Sequence, residues 1–213
     1  MGWLRNKHHE RDPLWHVQLV LVGVIVLQLI LPERLIALPK LLLPVLEVLC
    51  LVVLQFVTPK KPVFDSNIRR IFALTLLTLV AVANISSLQL LLQALFTAGK
   101  ADAPELLSAA VAIYATNIVV FALLYWEMDG GGPGMRRSNK NDENDFLFPQ
   151  QQANVKWFPT FTDYLYVSTT NATAFSPTDT LPLSRRAKMI MALQAFLSLL
   201  VVAVIAARAI NIL

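Results

Sequence analysis

Serine, threonine and aspartate side chains are concentrated in residues 160–182 of a chain that is otherwise largely apolar. The last part of this segment contains Thr173, Ser176, Pro177, Thr178 and Asp179. Hydroxyl oxygens can replace part of the hydration shell of a cation, and a ring of carboxylates attracts cations to a pore. If this segment lines a path through the membrane, its hydroxyls could contact cations and Asp179 could attract them at the mouth.

Three other polar residues interrupt long apolar runs: Glu47, Asn84 and Asn117. A carboxylate at the centre of a membrane helix costs about 3 kcal/mol on insertion scales, so Glu47 is a functional candidate, for example as a proton relay. An equally weighted interpretation is a protonated Glu47 that hydrogen-bonds to a neighbouring helix, and in either case we expect a neutral carboxyl. The two asparagines are candidate partners of Glu47, but hydrogen bonding between helices is their favoured interpretation.

The sequence contains no Ser-His-Asp, Cys-His or His-Glu-x-x-His arrangement, so we expect no enzymatic activity. His8, His9 and His16 do not form a metal-binding set, and Cys50 is the only cysteine. The glycine-rich residues 130–134 lack the following Lys-Ser or Lys-Thr pair of a phosphate-binding loop. We therefore expect no metal and no cofactor. Nucleic acid is also excluded as a partner, since no basic stripe with interleaved aromatic residues is present.

The elements that must position these residues are long apolar helices. Hydrophobic residues make up 56% of the 213-residue chain and charged residues only 15%, against about 25% in soluble domains. Five apolar runs are each long enough to cross a hydrocarbon core of about 30 Å; they cover residues 14–31, 36–57, 71–96, 105–126 and 187–208. No small-x-small cleavage site follows the first run before residues 32–34, so we expect a retained helix rather than a signal peptide.

The polar segment 160–182 is too short and too rich in hydroxyls to cross the membrane. Its first dozen residues can form a helix, with Thr160 or Thr162 as the N-cap and Asp163 in the first turn, and Pro177 then ends it. A short helix followed by an irregular segment and a spanning helix indicates a re-entrant loop. The predicted fold is therefore all-α and membrane-embedded, with five transmembrane helices and a re-entrant, pore-like helix before the last one.

The same patterns divide the chain into an N-terminal tail and two membrane regions. The tail covers residues 1–13, and a three-helix membrane region covers 14–108. The C-terminal region, 109–213, comprises an outer helix, a connector at 127–159, the re-entrant segment at 160–182 and the last helix at 187–208. We expect the Phe-Leu-Phe-Pro sequence at 146–149 to attach the connector to the membrane surface.

Basic residues predict the orientation of the chain, because cytoplasmic loops are enriched in lysine and arginine. One side holds Arg34, Lys40, Lys100 and Arg208. The other side holds Arg5, Lys7, Arg11, Lys60, Lys61, Arg69, Arg70, Arg136, Arg137, Lys140, Lys156, Arg185, Arg186 and Lys188. The count predicts a multi-pass protein of the bacterial inner (plasma) membrane with a cytoplasmic N-terminus. It also places the segment 160–182 on the cytoplasmic side.

The C-terminal half resembles the pore module of tetrameric potassium-type cation channels, in which an outer helix, a pore helix, a filter and an inner helix follow one another. Asp163-x-Leu165-Tyr166-x-Ser168 is similar to a pore-helix entry, and residues 173–179 stand where potassium channels carry Thr-Thr-Val-Gly-Tyr-Gly-Asp. The resemblance implies a pore loop, a monovalent cation as its ligand and a homotetramer. Potassium channels place this loop on the outer side, opposite to the side that the basic residues predict.

The filter itself departs from that pattern. Ser176 and Thr178 replace both filter glycines, whose φ > 0 conformations aim backbone carbonyls at the ion, and Pro177 fixes φ. The chain also resembles a family of small bacterial multi-pass membrane proteins that share this degenerate module, the glycine-rich connector and an arginine-led last helix. Membership of that family implies no particular activity.

The expected partner of this protein is the lipid bilayer, and three functional hypotheses follow. The first is a channel-like protein, tetrameric if it forms a pore, that passes cations with weak selectivity. The second is a non-conducting scaffold or sensor whose loop is packed shut. The third is a small proton-coupled transporter that uses Glu47, although no inverted repeat is visible.

Overall fold

A computed structural model describes residues 14–36, 39–42, 44–45, 48, 67–96, 103–137, 144–153, 157–173 and 179–212, and this part of the chain is mostly helical. Three helices are long and apolar enough to cross a membrane: Arg70–Leu95, Pro104–Gly131 and Arg185–Ala207. The structure thus confirms the prediction of a mostly helical chain with helices long and apolar enough to cross a membrane. Most of the second predicted run, 36–57, lies outside the described residues.

The described elements follow one another as long helices joined by short ones. In chain order they are α1 (Leu14–Ile30), a 3-10 turn (Glu33–Leu35), α2 (Asn67–Phe96), α3 (Ala103–Met128), a 3-10 turn (Asp129–Gly131), α4 (Pro133–Arg137), β1 (Phe146–Leu147), α5 (Pro149–Gln152), α6 (Phe161–Thr173), β2 (Leu181–Pro182) and α7 (Arg185–Ile212). The two strands pair antiparallel, with Phe146 opposite Pro182.

Helix length separates the candidate spans from the other helices. The 26 residues of α3 extend about 39 Å, more than the roughly 30 Å of a hydrocarbon core, and α2 and α7 are longer still. The 17 residues of α1 extend about 26 Å, which is slightly short of that thickness. The 13 residues of α6 extend only about 20 Å, so α6 cannot cross as a single helix.

Helix α3 is the centre of the fold. In the most apolar 18-residue stretch of each candidate span, 61% is buried in α3, against 33% in α2 and 28% in α7. Helices α1, α2, α6 and α7 all pack against it. Small residues allow this close approach; Ala109, Ala110, Ala112 and Ala122 are buried on α3.

The short helix α6 begins where its sequence predicts. Thr160 precedes the first helical residue, Phe161, and its backbone N–H donates to Asp163 Oδ2 at 2.7 Å. The Thr160 hydroxyl donates to the same oxygen at 2.8 Å. A carboxylate in the first turn also interacts favourably with the helix dipole, so Asp163 fixes the start of α6.

Candidate functional site

Four polar side chains connect α3, α6 and α7, and we call them the inner polar chain: Tyr125, Ser168, Asn171 and Gln194. Gln194 lies at its centre and is fully buried. Its Oε1 accepts hydrogen bonds from the Tyr125 hydroxyl at 2.5 Å and from Asn171 Nδ2 at 2.8 Å. Its Nε2 donates to Ser168 Oγ at 2.6 Å and to the Ser168 carbonyl at 3.0 Å. The Gln194 amide is thus well satisfied, as buried polar groups require.

The inner polar chain continues to the backbone of both long helices. Ser168 Oγ donates to the carbonyl of Ile118 on α3 at 2.6 Å. Asn171 Nδ2 also donates to the carbonyl of Met191 on α7 at 2.9 Å. Side chains that bond across helices in this way hold membrane helices together, with about 0.6 kcal/mol for an average bond. Helix α6 is therefore tied to α3 and to α7 along its length.

The two predicted intramembrane asparagines each contact a neighbouring helix. Asn117 Nδ2 donates to Ser198 Oγ at 2.8 Å and thereby joins α3 to α7. Asn84 Nδ2 donates to the carbonyl of Ile113 at 3.2 Å and joins α2 to α3. Glu47, the third predicted residue, lies outside the described residues.

A second polar group lies where α3 ends, and we call it the Asp129 clasp: Asp129, Arg136 and Tyr164. The Asp129 carboxylate is almost fully buried. Its Oδ1 accepts the backbone N–H groups of Asp145 at 2.7 Å and Phe146 at 3.1 Å. Its Oδ2 accepts the Tyr164 hydroxyl at 2.5 Å. One carboxylate thus joins the end of α3 to the connector and to α6.

The environment of Tyr164 favours its neutral form. Burial raises the pKa of the Tyr164 phenol well above its ordinary value of 10.0, and the Asp129 carboxylate raises it further. The Arg136 guanidinium, 5.0 Å from the ring centroid, acts in the opposite direction. The phenol therefore acts as a hydrogen-bond donor to Asp129 across the physiological range.

Arg136 closes the clasp over the glycine-rich segment. Its Nη1 donates to the carbonyls of Trp126 at 2.7 Å and Asp129 at 2.5 Å, at the end of α3. Gly130 has φ +57°, and a Cβ atom there would lie 2.5 Å from Arg136 Cγ. Glycine is required at this position both for its backbone conformation and for the approach of Arg136.

An ion pair joins the connector to the start of α7. Arg186 Nε and Nη2 donate to the two carboxylate oxygens of Asp145, each at 2.6 Å, which is the bidentate geometry of a strong pair. The Asp145 side chain is 2% exposed and that of Arg186 is 55% exposed. The Leu183 N–H also donates to the Asp145 carbonyl at 2.8 Å, next to the β1–β2 pairing.

The connector attaches to the protein through aromatic rings. Phe146 and Phe148 are both buried, and each ring contacts Tyr164, at centroid distances of 6.2 Å and 5.3 Å. Phe146 also packs on Tyr125 at 5.2 Å, and Phe148 on Trp157 at 5.4 Å. These rings attach the Phe-Leu-Phe-Pro sequence to α3 and α6, and its predicted position at the membrane surface stays a prediction.

The predicted pore-loop residues fall at the two ends of a gap in the described chain. Thr173 is the last residue of α6, and its hydroxyl donates to the Thr170 carbonyl at 3.1 Å. Asp179 is exposed. Ser176, Pro177 and Thr178 lie outside the described residues. The predictions for these three positions therefore remain predictions.

Sequence reasoning passed over several residues of the site, namely Asp129, Asp145 and Gln194. Gln194 carried a signal, because it is an amide within an apolar run like Asn84 and Asn117. The two aspartates carried little, since both stand in a stretch rich in charge and glycine that is typical of a solvated loop.

The arrangement is suited to holding helices and a loop in fixed positions. Among the described residues, no three His, Cys, Asp or Glu side chains are placed to hold a metal ion. Comparisons with protein-family models, with curated proteins and with solved structures found no match to this chain.

Proposed function

We propose that this chain is a channel-like membrane protein whose C-terminal half, residues 109–213, assembles with other copies into a weakly selective cation pore. The observation that carries the proposal is the packing of the short helix α6 between the two long helices α3 and α7. The channel module that the sequence resembles consists of an outer helix, a short helix and an inner helix. Helices α3, α6 and α7 follow one another in this order and pack against one another.

The contacts of α6 support a re-entrant path. Tyr164 contacts Asp129 at the end of α3, and Ser168, one turn later, contacts Ile118, which is well inside α3. Helix α6 therefore runs back along α3 from the end where α3 finishes and α7 begins. The chain returns to that end at β2, which pairs with β1 just before α7. Backbone that enters and leaves on one side is tolerated at membrane depth where protein or water covers it.

The uncovered side of α6 supports assembly. Thr162, Tyr166 and Thr169 are exposed and, at spacings of four and three residues, lie on one face. In a single copy this face would meet lipid, which is a poor environment for hydroxyl groups. In an oligomer it would face other copies or a water-filled path, with the exposed Asp179 carboxylate at one end.

A non-conducting scaffold or sensor is the second candidate, and a different observation favours it. The inward side chains of α6, Ser168 and Asn171, are already bonded to α3 and α7. The Asp129 clasp and the Asp145–Arg186 pair also fix the segments on both sides of the loop. A loop whose two ends are fixed in this way can block the passage of ions, as a non-conducting scaffold or sensor requires.

The oligomeric state and ion flux test the proposal together. In a Cys50→Ser background, Tyr166→Cys should give a cross-linked dimer with a short bismaleimide, the largest species that one cysteine per copy allows, whereas Leu79→Cys, exposed on α2, serves as the matched control. Light scattering of the purified protein should give the mass of a tetramer. Purified protein in phospholipid vesicles should then release potassium and sodium at similar rates. A monomer would overturn the shared pore, and an oligomer without flux of either ion would support the scaffold or sensor.

A further inference from the structure

A small pocket lies away from α6, between α1, α2, α3 and residues 39, 40 and 44. Its volume is about 30 Å³. Its polar lining is formed by Gln28, Lys40, Asn84, Ser87 and Thr116. Asn84 and Thr116 lie close to the middle of α2 and α3, so the pocket is at the depth where a membrane protein is least hydrated.

Lys40 is the one charged residue among the described residues that line this pocket. Its side chain is half-buried. In the part of the chain that the structure describes, no carboxylate lies within salt-bridge distance of the Lys40 ammonium. Charged residues within membrane bundles are paired, because an unpaired charge at that depth is costly. The pocket therefore requires a negative charge that the described residues do not supply.

The other polar groups of the pocket can donate hydrogen bonds to such a charge. The Thr116 side chain is 2% exposed, and its hydroxyl lacks a hydrogen-bond partner in the described structure. Ser87 is also buried and supplies a second hydroxyl. Asn84 Nδ2 gives one hydrogen to the Ile113 carbonyl and keeps a second one. The described residues that line the pocket include no carboxylate, so its charge and its donors favour an anion over a cation.

The size of the pocket restricts the ligand. A volume of about 30 Å³ holds one or two water molecules. A single monatomic anion fits a space of this size. We propose that the pocket binds one small monovalent anion of the size of chloride or bromide, held by Lys40 and by the hydroxyl of Thr116. This site is independent of the proposed pore, since it lies between the N-terminal helices and α3.

Thermal unfolding of the purified full chain in detergent, followed by tryptophan fluorescence, tests the site. Sodium chloride should raise Tm in a saturable way over sodium gluconate of equal ionic strength, because an anion that binds only the folded protein stabilises it. Bromide should act like chloride, since it also fits. Lys40→Gln and Thr116→Val should each raise the half-saturating chloride concentration at least about tenfold, a loss of about 1.4 kcal/mol of binding energy.

Matched variants control for the two changes. Lys188→Gln removes an exposed lysine on α7, and Thr78→Val removes an exposed hydroxyl that bonds within α2; both should respond to chloride like the unchanged protein. If Lys40→Gln does not fold, Thr116→Val and line broadening of the chloride NMR signal provide the test. Equal Tm values in the two salts would overturn the proposal. A chloride response that appears only in Glu47→Gln would also overturn it, since Glu47 would then be the counter-charge of Lys40.

Discussion

The hydroxyl of Tyr164, on α6, donates to the carboxylate of Asp129, at the end of α3, at 2.5 Å. The two residues are 35 positions apart, and the connector between them contributes two N–H groups to the same carboxylate. This bond fixes the start of α6 against the end of α3. The position of α6 relative to the long helices therefore depends on a few buried polar groups as well as on apolar packing.

Loss of the Tyr164 hydroxyl should destabilise the protein. Tyr164→Phe keeps the ring contacts but removes one of three hydrogen bonds to a buried carboxylate, so we expect a loss of about 1–3 kcal/mol in the free energy of unfolding. Tyr166→Phe is the matched control, since Tyr166 is 59% exposed. This change should alter the free energy of unfolding by less than about 0.5 kcal/mol. Equilibrium unfolding in denaturant measures both. Equal effects of the two changes would contradict a role for the clasp.

The unchanged protein and Tyr164→Phe should differ in how their stability responds to alkaline pH. The pKa of Tyr164 is raised in the folded protein, so the folded state holds the phenolic proton more tightly than the unfolded state. This stabilisation is complete below the unfolded pKa of about 10 and decreases as pH rises through the folded pKa. The stability difference between the unchanged protein and Tyr164→Phe should therefore narrow above pH 10. A constant difference up to high pH would contradict the raised pKa.

Gly130 should not tolerate a side chain. Gly130→Ala places a Cβ at φ +57° and 2.5 Å from Arg136 Cγ, so we expect a loss of about 1–3 kcal/mol and a displaced Arg136. Gly23→Ala is the control, because nothing lies within 4 Å of its Cβ position in α1, where alanine favours the helix. Thermal unfolding should separate the two variants by several degrees. A neutral Gly130→Ala would show that the segment can rearrange.

The long helices were predictable from the sequence because each depends on a local property. An apolar run at 71–96 corresponds to the candidate span Arg70–Leu95, and the run that begins after Pro104 corresponds to Pro104–Gly131. Hydrocarbon requires every backbone group to bond within its own segment, so composition alone indicates a helix. The start of α6 at Phe161 was also predictable, because its capping residue Thr160 and Asp163 are close in sequence.

The clasp and the strands were not predictable in this way. Asp129 and Gly130 stand in a sequence typical of a mobile loop, but both are buried, because Tyr164 on α6 and Arg136 on the following short helix α4 pack against this segment. Strands β1 and β2 have two residues each, which is too short for an alternating pattern. Such contacts depend on tertiary structure, which overrides local propensity.

Arg186 should contribute more to stability than its neighbour. Arg186→Gln leaves the Asp145 carboxylate, 2% exposed, without its cation, so we expect a loss of about 2 kcal/mol. This is below the roughly 3–5 kcal/mol of a fully buried pair, because Arg186 is itself 55% exposed. Arg185→Gln, an exposed arginine one residue earlier, should have little effect. Unfolding curves at two salt concentrations measure both, and equal losses would contradict the importance of the pair.

The connector should face the cytoplasm, because its side of the chain holds most of the basic residues. In a Cys50→Ser background, Ser138→Cys should react with an impermeant maleimide only after the cells are opened. Lys100→Cys, on the opposite side of the same predicted topology, should react in intact cells. The reverse result for both positions would invert the topology and give the pore loop the outward orientation of ordinary potassium channels.

If the proposed pore conducts, it should discriminate weakly between potassium and sodium. With Ser176, Pro177 and Thr178 in place of Gly-Tyr-Gly, the backbone cannot readily stack rings of inward carbonyls. Selectivity would then depend on hydroxyls and on the exposed Asp179 carboxylate, which respond to the sign of the charge and to approximate size.

Asp179→Asn tests the contribution of this carboxylate. We expect it to lower cation flux into vesicles more at low salt than at high salt, because the Debye length falls from about 30 Å at 0.01 M to about 3 Å at 1 M and screening already weakens the attraction there. Glu33→Gln is the matched control, since it removes an exposed carboxylate from the turn after α1. A strong preference for potassium over sodium would overturn this view of the loop. An Asp179→Asn effect that is the same at both salt concentrations would mean that Asp179 acts by shaping the loop rather than by attracting cations.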